Sequence, residues 1–305
     1  MRIVFFGTPE FAAHSLEKIV NEGFNVVAVI TAPDKPAGRG RQLKSSEVKN
    51  CAIKLNIPVL QPTNLKSSDF IDDLTKLNVD LGVVIAFRML PEAVWSAPKL
   101  GTINLHASLL PNYRGAAPIQ HAIIQGEKIT GVSTFFLKHE IDTGDLIDQE
   151  EVKIDLSDSG GALHDKLMDV GADLMIQSLN KIASLGKDVP TFPQVYHENL
   201  KTASKLNRDF CHLNLSETTL KIHNKVRGLC PYPSAWIESP WGELKILETE
   251  FATIDEQFIG NDLIFVVNKK LYLKCSDGQL NVKMLQPQGK SRMDASSFIN
   301  GLRLQ

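Results

Sequence analysis

The chain has 305 residues, 43% of them hydrophobic and 22% charged, with a net charge of -2 at pH 7. These values describe a globular protein with room for two domains, and they exclude a disordered chain or a nucleic-acid binder that works through bulk charge. No run approaches the ~20 apolar residues of a membrane helix, Pro9 and Glu10 cut the apolar start short of a secretion signal, and Cys51, Cys211, Cys230 and Cys275 form no CxxC pair, so a cytoplasmic protein with reduced thiols is expected.

In chain order, RIVFFG predicts a buried strand ended by Gly7, and PEFAAHSLEKIVNEG a helix with Phe11, Ser15/Leu16 and Ile19 on one face. VVAVIT is a second strand. TAPDKPAGRGRQLKSS is a loop rich in Gly, Pro and basic residues. EVKNCAIKLN reads as a helix, PVLQ as a short strand, DFIDDLTKLN as a helix, DLGVVIAF and GTINLHAS as further strands. Strands and helices alternate, and the strands are almost wholly apolar. That predicts an α/β fold with a Rossmann-like, mostly parallel sheet and helices on both faces. Ligands of such sheets bind off the carboxyl ends of the strands.

After Pro118 the pattern changes. IQHAIIQG is helical, ITGVSTFFL and DLIDQEEVKI suggest antiparallel strands, and GALHDKLMDVGADLMIQSLNKI is a long amphipathic helix with a Leu163, Leu167, Val170, Leu174 stripe. GKDVPTFPQVYHENLKTASK has little periodicity and reads as an interdomain linker. SETTLKIHNKVRGL predicts a helix. AWIES, GELKILETE, LIFVVN, KLYLKC and QLNVKMLQ follow as short strands between turn signals, which suggests a smaller, OB-like β-barrel. The expected domains are 1–185 and 205–305, joined by a linker at 186–204.

Three constellations could carry chemistry. FFGTPEF stands where a dinucleotide fingerprint would, but it holds one glycine, so Gly7 reads as a turn residue and NAD or FAD is discounted. No GxxxxGK[ST] is present. The second constellation is INLHASLLP. Asn104 and His106 interrupt an apolar strand two residues apart and therefore share a face. An isolated strand histidine is more often a core histidine bonded to backbone. An Asn amide and a His Nε2–H aimed at one point, however, make a two-donor site for a developing oxyanion. Asp142 in HEIDTGDLI is the candidate partner acid, with a turn aspartate as the alternative. Asp145 fits that alternative better, and His121 and His139 read as packing or surface histidines. No spacing resembles a metal-binding motif. The third constellation is the loop PDKPAGRGRQLK with Lys35, Arg39, Arg41, Lys44 and, just beyond, Lys49. It is either a solvated loop or a mobile arm for a polyanion.

Asn104-x-His106 followed by Ser108-Leu-Leu-Pro111, with Asp142-Thr-Gly some way on, resembles the 10-formyltetrahydrofolate-dependent formyltransferase family. PDKPAGRGR, NYRGAAPIQHAI, GVSTFFLKHEIDTGDLI and KIHNKVRGLCPYPSAW resemble those members whose acceptor is initiator Met-tRNA, so the resemblance spans nearly the whole chain. It implies transfer of a formyl group from 10-formyltetrahydrofolate to the methionyl amine, with no metal. Asn104, His106 and Asp142 would be the catalytic trio. Ser108, Leu109, Leu110 and Pro111 would contact the folate, and Arg39 and Arg41 would meet the tRNA. The C-terminal domain would bind tRNA, and the enzyme would act as a monomer. The family often has Tyr-Gly where this chain has Phe87-Arg88, and the last 101 residues carry 13 Lys+Arg against 11 Asp+Glu. Two other readings share the trio, formylation of a sugar nucleotide or glycinamide ribonucleotide and hydrolysis of the formyl donor; a third, a folate- or RNA-binding module without turnover, would be signalled by loss of His106 or Asp142, and both are present.

Overall fold

The computed structural model describes residues 1–37, 42–196, 198–253 and 262–302. The chain forms two compact units, neither of them a continuous piece of sequence. The first comprises Met1–Gly115, Thr130–Val152 and His164–Thr202; the second comprises Ala116–Ile129, Lys153–Leu163 and Ala203–Gln305.

The first unit is built on seven strands: β1 (Arg2–Gly7), β2 (Asn25–Ile30), β3 (Val59–Leu60), β4 (Leu81–Ile85), β5 (Thr102–His106), β6 (Ile129–Phe136) and β7 (Leu146–Lys153). Their order across the sheet is β7-β6-β5-β4-β1-β2-β3. The five strands from β3 to β5 run parallel, and β6 runs antiparallel to β5. A parallel strand covered on both faces needs a continuous apolar run. β1 supplies one: Ile3, Val4, Phe5 and Phe6 have no exposed surface.

Alternation along the strands assigns the two faces. Val4 and Phe6 pack with Ala28, Ile30, Phe70, Leu74 and Val84, under the helix Ser68–Lys76. On the other face the long helix Gly160–Leu185 comes so close that a Cβ on Gly171 would stand 3.0 Å from Leu105 Cδ2 and 3.4 Å from Val132 Cγ1. Leu105 faces that helix, so Asn104 and His106 must face the opposite way. Gly7 closes β1 because a Cβ there would lie 2.6 Å from the Ala12 Cβ, which makes it the turn residue expected.

The segment read as a linker carries order of its own. Phe192 exchanges two backbone hydrogen bonds with Leu146, at 2.8 and 3.0 Å. Sequence periodicity cannot show this, because one bridge is too short to leave a pattern.

In the second unit, six antiparallel strands form a curled half-barrel: Ala235–Ser239, Gly242–Ala252, Ile264–Val267, Lys270–Cys275, Gly278–Pro287 and Met293–Asp294. The register of Gly242–Ala252 against Gly278–Pro287 slips between Ile246 and Thr249. Such bulges increase local twist and bend a strand. Leu244, Ile246, Leu271, Leu273, Leu280 and Leu285 fill the interior with Ile222 and Val226 of the helix Thr219–Leu229. That helix starts three residues later than its pattern predicts, where the Thr218 hydroxyl accepts from the Lys221 N–H.

Candidate active site

The carboxyl end of β5 carries both polar residues singled out in the sequence. Register places Asn104 beside Val84 of β4 and Phe135 of β6, and His106 beside Ser133 of β6. His106 is buried, with 7% of its surface exposed. Its Nε2 lies 2.9 Å from the Tyr113 carbonyl oxygen. A carbonyl only accepts, so Nε2 carries the proton.

That corrects the expectation that Nε2–H faces the reacting group. The nitrogen left for chemistry is Nδ1, and it stands 3.9 Å from Asp142 Oδ2. This distance is too long for a hydrogen bond. Both side chains are about nine-tenths buried. The Asn104 amide makes no side-chain hydrogen bond among the described residues and is open to a ligand on the same face.

Backbone geometry sets the trio. Tyr113 has φ 59° and Asp142 φ 55°, both in the left-handed region that L-residues enter rarely. Asp142 Oδ2 accepts from the Gly115 N–H at 3.0 Å. Gly144 lets the chain after Asp142 press against β6: a Cβ there would stand 1.6 Å from the Phe136 carbonyl oxygen. No other residue fits that approach without moving the strand.

The turn after β5 is held from inside. Ser108 donates to the Asn112 carbonyl at 2.7 Å, and its own carbonyl accepts from Ser133 Oγ at 2.6 Å. Ser133 Oγ also accepts from the Leu110 N–H at 3.1 Å and from Gln149 Nε2 at 2.8 Å. Leu110 packs into a small cluster with Phe135 and Leu146. The Ser108 hydroxyl and the Leu110 side chain are therefore engaged within the protein. Leu109 and Pro111 remain half-buried at the turn.

Other residues sort more simply. Arg39 and Arg41 lie outside the described residues. Lys49, counted with the basic loop, is instead paired with Asp34 at 2.6 Å and Gln61 at 2.8 Å. Those two partners hold the Asp34 carboxyl below its usual range. Asp145 pairs with Lys138 at 2.8 Å. His139 is exposed. His121 is a packing histidine, 3.0 Å from the Ser204 carbonyl, and burial pushes its pKa down. Arg88 donates to the Thr63 carbonyl at 3.0 Å. A concavity of about 460 Å³ beside that loop is lined by Gln61, Asn64, Asp69 and Asp73 and holds none of the trio. Among the described residues no group of three or more His, Cys, Asp or Glu could hold a metal ion.

Two participants gave no signal in the sequence. The Tyr113 carbonyl acts through backbone alone. Gln194 lies in the segment without periodicity, yet it is buried against Asp142 and Gly144.

Comparison with known proteins supplies the rest. Residues 1–179 match the formyl transferase family model, and residues 205–303 match the formyl transferase C-terminal domain. The chain belongs to the formyl transferase family. It is 45% identical to the methionyl-tRNA formyltransferase of Azobacteroides pseudotrichonymphae, over 98% of this chain and 95% of that one. In fold it resembles an N-formyltransferase from Helicobacter canadensis solved with folinic acid and dTDP-3-aminofucose. The TM-score is 0.66 at 21% identity, covering 92% of this chain and 98% of the other. It also resembles HypX from Aquifex aeolicus solved with tetrahydrofolic acid, with TM-score 0.63 and 16% identity over 98% of this chain. The chain spans about half the length of that larger protein, 47%.

Proposed function

We propose that this formyltransferase moves a formyl group from 10-formyltetrahydrofolate to the amino group of methionine on initiator tRNA, giving the formylated tRNA that starts translation. The observation that carries the reading is the trio at the end of β5: two donors on one strand face, and a carboxylate 3.9 Å from the imidazole. Both nearby hydroxyls, Ser108 and Ser133, donate to backbone carbonyls and are not poised as nucleophiles. A site with donors and a base, but no activated hydroxyl, suits direct attack of an external amine on an already activated acyl group. The 45% identity to a methionyl-tRNA formyltransferase over nearly the full length of both chains supports the acceptor.

In this mechanism the methionyl amine attacks the formyl carbon, and the formyl oxygen takes up negative charge. The Asn104 amide and a protonated His106 Nδ1 donate to that oxygen. Asp142 accepts the proton that the amine loses, and it returns to the folate nitrogen as the carbon–nitrogen bond to the donor breaks. The Ser108–Pro111 turn holds the folate through its shape and backbone. Arg39 and Arg41 meet the acceptor end of the tRNA, and the second unit binds its backbone. No described helix is long and apolar enough to cross a membrane; the proposed place of action is the cytoplasm.

The test compares acceptors. Formyl transfer from 10-formyltetrahydrofolate is measured with initiator Met-tRNA, free methionine, a sugar-nucleotide amine and water. Rapid transfer to the charged tRNA alone is expected. Equal or faster transfer to a small amine or to water overturns the acceptor assignment.

A further inference from the structure

Asp142 is the least anchored of the three by sequence logic. It sits in a turn, on a residue of positive φ, and among the described residues its carboxylate has one backbone donor, the Gly115 N–H. Left to itself, a left-handed Asp in a loop would sample other backbone conformations. Its position relative to Nδ1 of His106 must therefore be held by something outside the turn.

That something is Gln194. Its Nε2 donates to the Asp142 carbonyl at 2.9 Å and to the Gly144 carbonyl at 2.8 Å. Both amide hydrogens are used, and both go to the segment that carries the acid. Its Oε1 accepts from Arg114 Nε at 3.1 Å and from a second guanidinium nitrogen of the same arginine. Arg114 in turn lies over the Tyr196 ring, 4.5 Å from its centroid, and also donates to the Tyr196 hydroxyl. Arg114 directly precedes Gly115, whose N–H meets the carboxylate. One amide thus braces both ends of the Asp142 environment: the backbone that carries the acid, and the neighbour of the group that grips it. Gln194 has 8% of its surface exposed. Its own place is fixed nearby by the two backbone hydrogen bonds between Phe192 and Leu146.

We propose that Gln194 is a positioning residue for formyl transfer: its side-chain amide holds Asp142 in reach of the reacting amine without touching substrate. The inference rests on the function proposed above and adds a residue to it. It predicts that losing the two amide donors slows the chemical step and leaves substrate binding alone, because the buried Gln194 spends both amide hydrogens and its oxygen on the protein itself. A displacement of about 1 Å at a reacting group costs on the order of 100-fold in rate.

The experiment uses the full chain with two substitutions of similar size. Gln194→Met removes donors and acceptor. Gln194→Glu keeps an acceptor for Arg114 but turns oxygen toward two carbonyl oxygens. Each is measured alone and in an Asp142→Asn background, for kcat, for KM of both substrates, and for thermal unfolding. The expected result is a fall in kcat of roughly 10- to 100-fold for both variants, with KM unchanged for donor and tRNA. In the Asp142→Asn background Gln194→Met should cost little further, since its effect runs through Asp142. Wild-type kcat in Gln194→Glu, or the same loss from Gln194→Met with and without Asp142, overturns the inference. If one variant fails to fold, the other carries the cycle. A wild-type enzyme that formylates a different amine sinks the acceptor assignment but not this inference, which is then tested with that amine. A wild type that transfers to no acceptor sinks both.

Discussion

Two histidines, the buried His106 of the first unit and the half-buried His223 of the second, differ in what surrounds them. His223 sits on a helix of the second unit, with Nδ1 2.9 Å from Thr249 Oγ1 and its ring 4.8 Å from that of Phe251. Burial, with Arg227 nearby, pushes its pKa down. His106 also has one nitrogen satisfied, by the Tyr113 carbonyl, but the other faces a buried carboxylate across a gap of 3.9 Å. The first arrangement is closed: the half-buried imidazole meets a hydroxyl and an aromatic ring of its own unit. The second is open: Nδ1 and the carboxylate are too far apart to hydrogen-bond each other, so each can face a third group. What marks chemistry is therefore not the histidine but the unfilled partner next to it.

Asp142→Asn should break this contrast most severely. It keeps the size and the Gly115 contact but removes the base, so kcat should fall by roughly 10²- to 10⁴-fold with the melting temperature nearly unchanged. Steady-state kinetics beside a thermal melt checks it. Leu285→Ala probes the other region. Leu285 is fully buried in the half-barrel, and truncation of such a leucine costs about 2–5 kcal/mol. Denaturant unfolding should show that loss, while kcat of the protein that remains folded is unchanged. Ser133→Ala should fall between the two in kind. It strips a donor from the Ser108 carbonyl and an acceptor from the Leu110 N–H. The expected loss is about 1–3 kcal/mol, together with weaker donor binding, read as a rise in KM for the folate.

The smallest effect concerns His223 and pH. Its folded pKa lies below the ordinary value of 6.5. Between those two values the unfolded chain binds more protons than the folded one, so stability falls as pH drops below about 6.5. His223→Gln, which can still meet Thr249, should flatten that part of the stability curve and leave the curve above pH 7 unmoved. Melting temperatures from pH 5 to pH 8 measure it.

The parts legible in the sequence are those that leave a period or break one. β1, β4 and β5 read as apolar runs because both faces are covered. Asn104 and His106 stood out because they interrupt such a run. The half-barrel strands were legible through alternation and turn residues. Asp142 was marked only by its Asp-Thr-Gly turn, and its pairing with His106 needed the fold. Three features were beyond reach. The ring nitrogen facing the site depends on the Tyr113 carbonyl, and backbone direction is not written in side-chain identity. Lys49 looked like part of the basic loop, but a helix capped by Ser46 carries it onto Asp34 and Gln61. Gln194 lies among prolines and polar residues with no periodicity, so its bracing of Asp142 emerges only from tertiary contact.

The central claim is that His106 serves an oxyanion rather than the core. The most direct measurement is single-turnover formyl transfer from 10-formyltetrahydrofolate to initiator Met-tRNA by His106→Ala, in protein shown to be folded by its melting curve. The account predicts a loss of roughly 10²- to 10⁴-fold in the transfer rate with both substrates still bound. Transfer at the wild-type rate by the folded variant would contradict it and make His106 a structural histidine like His223.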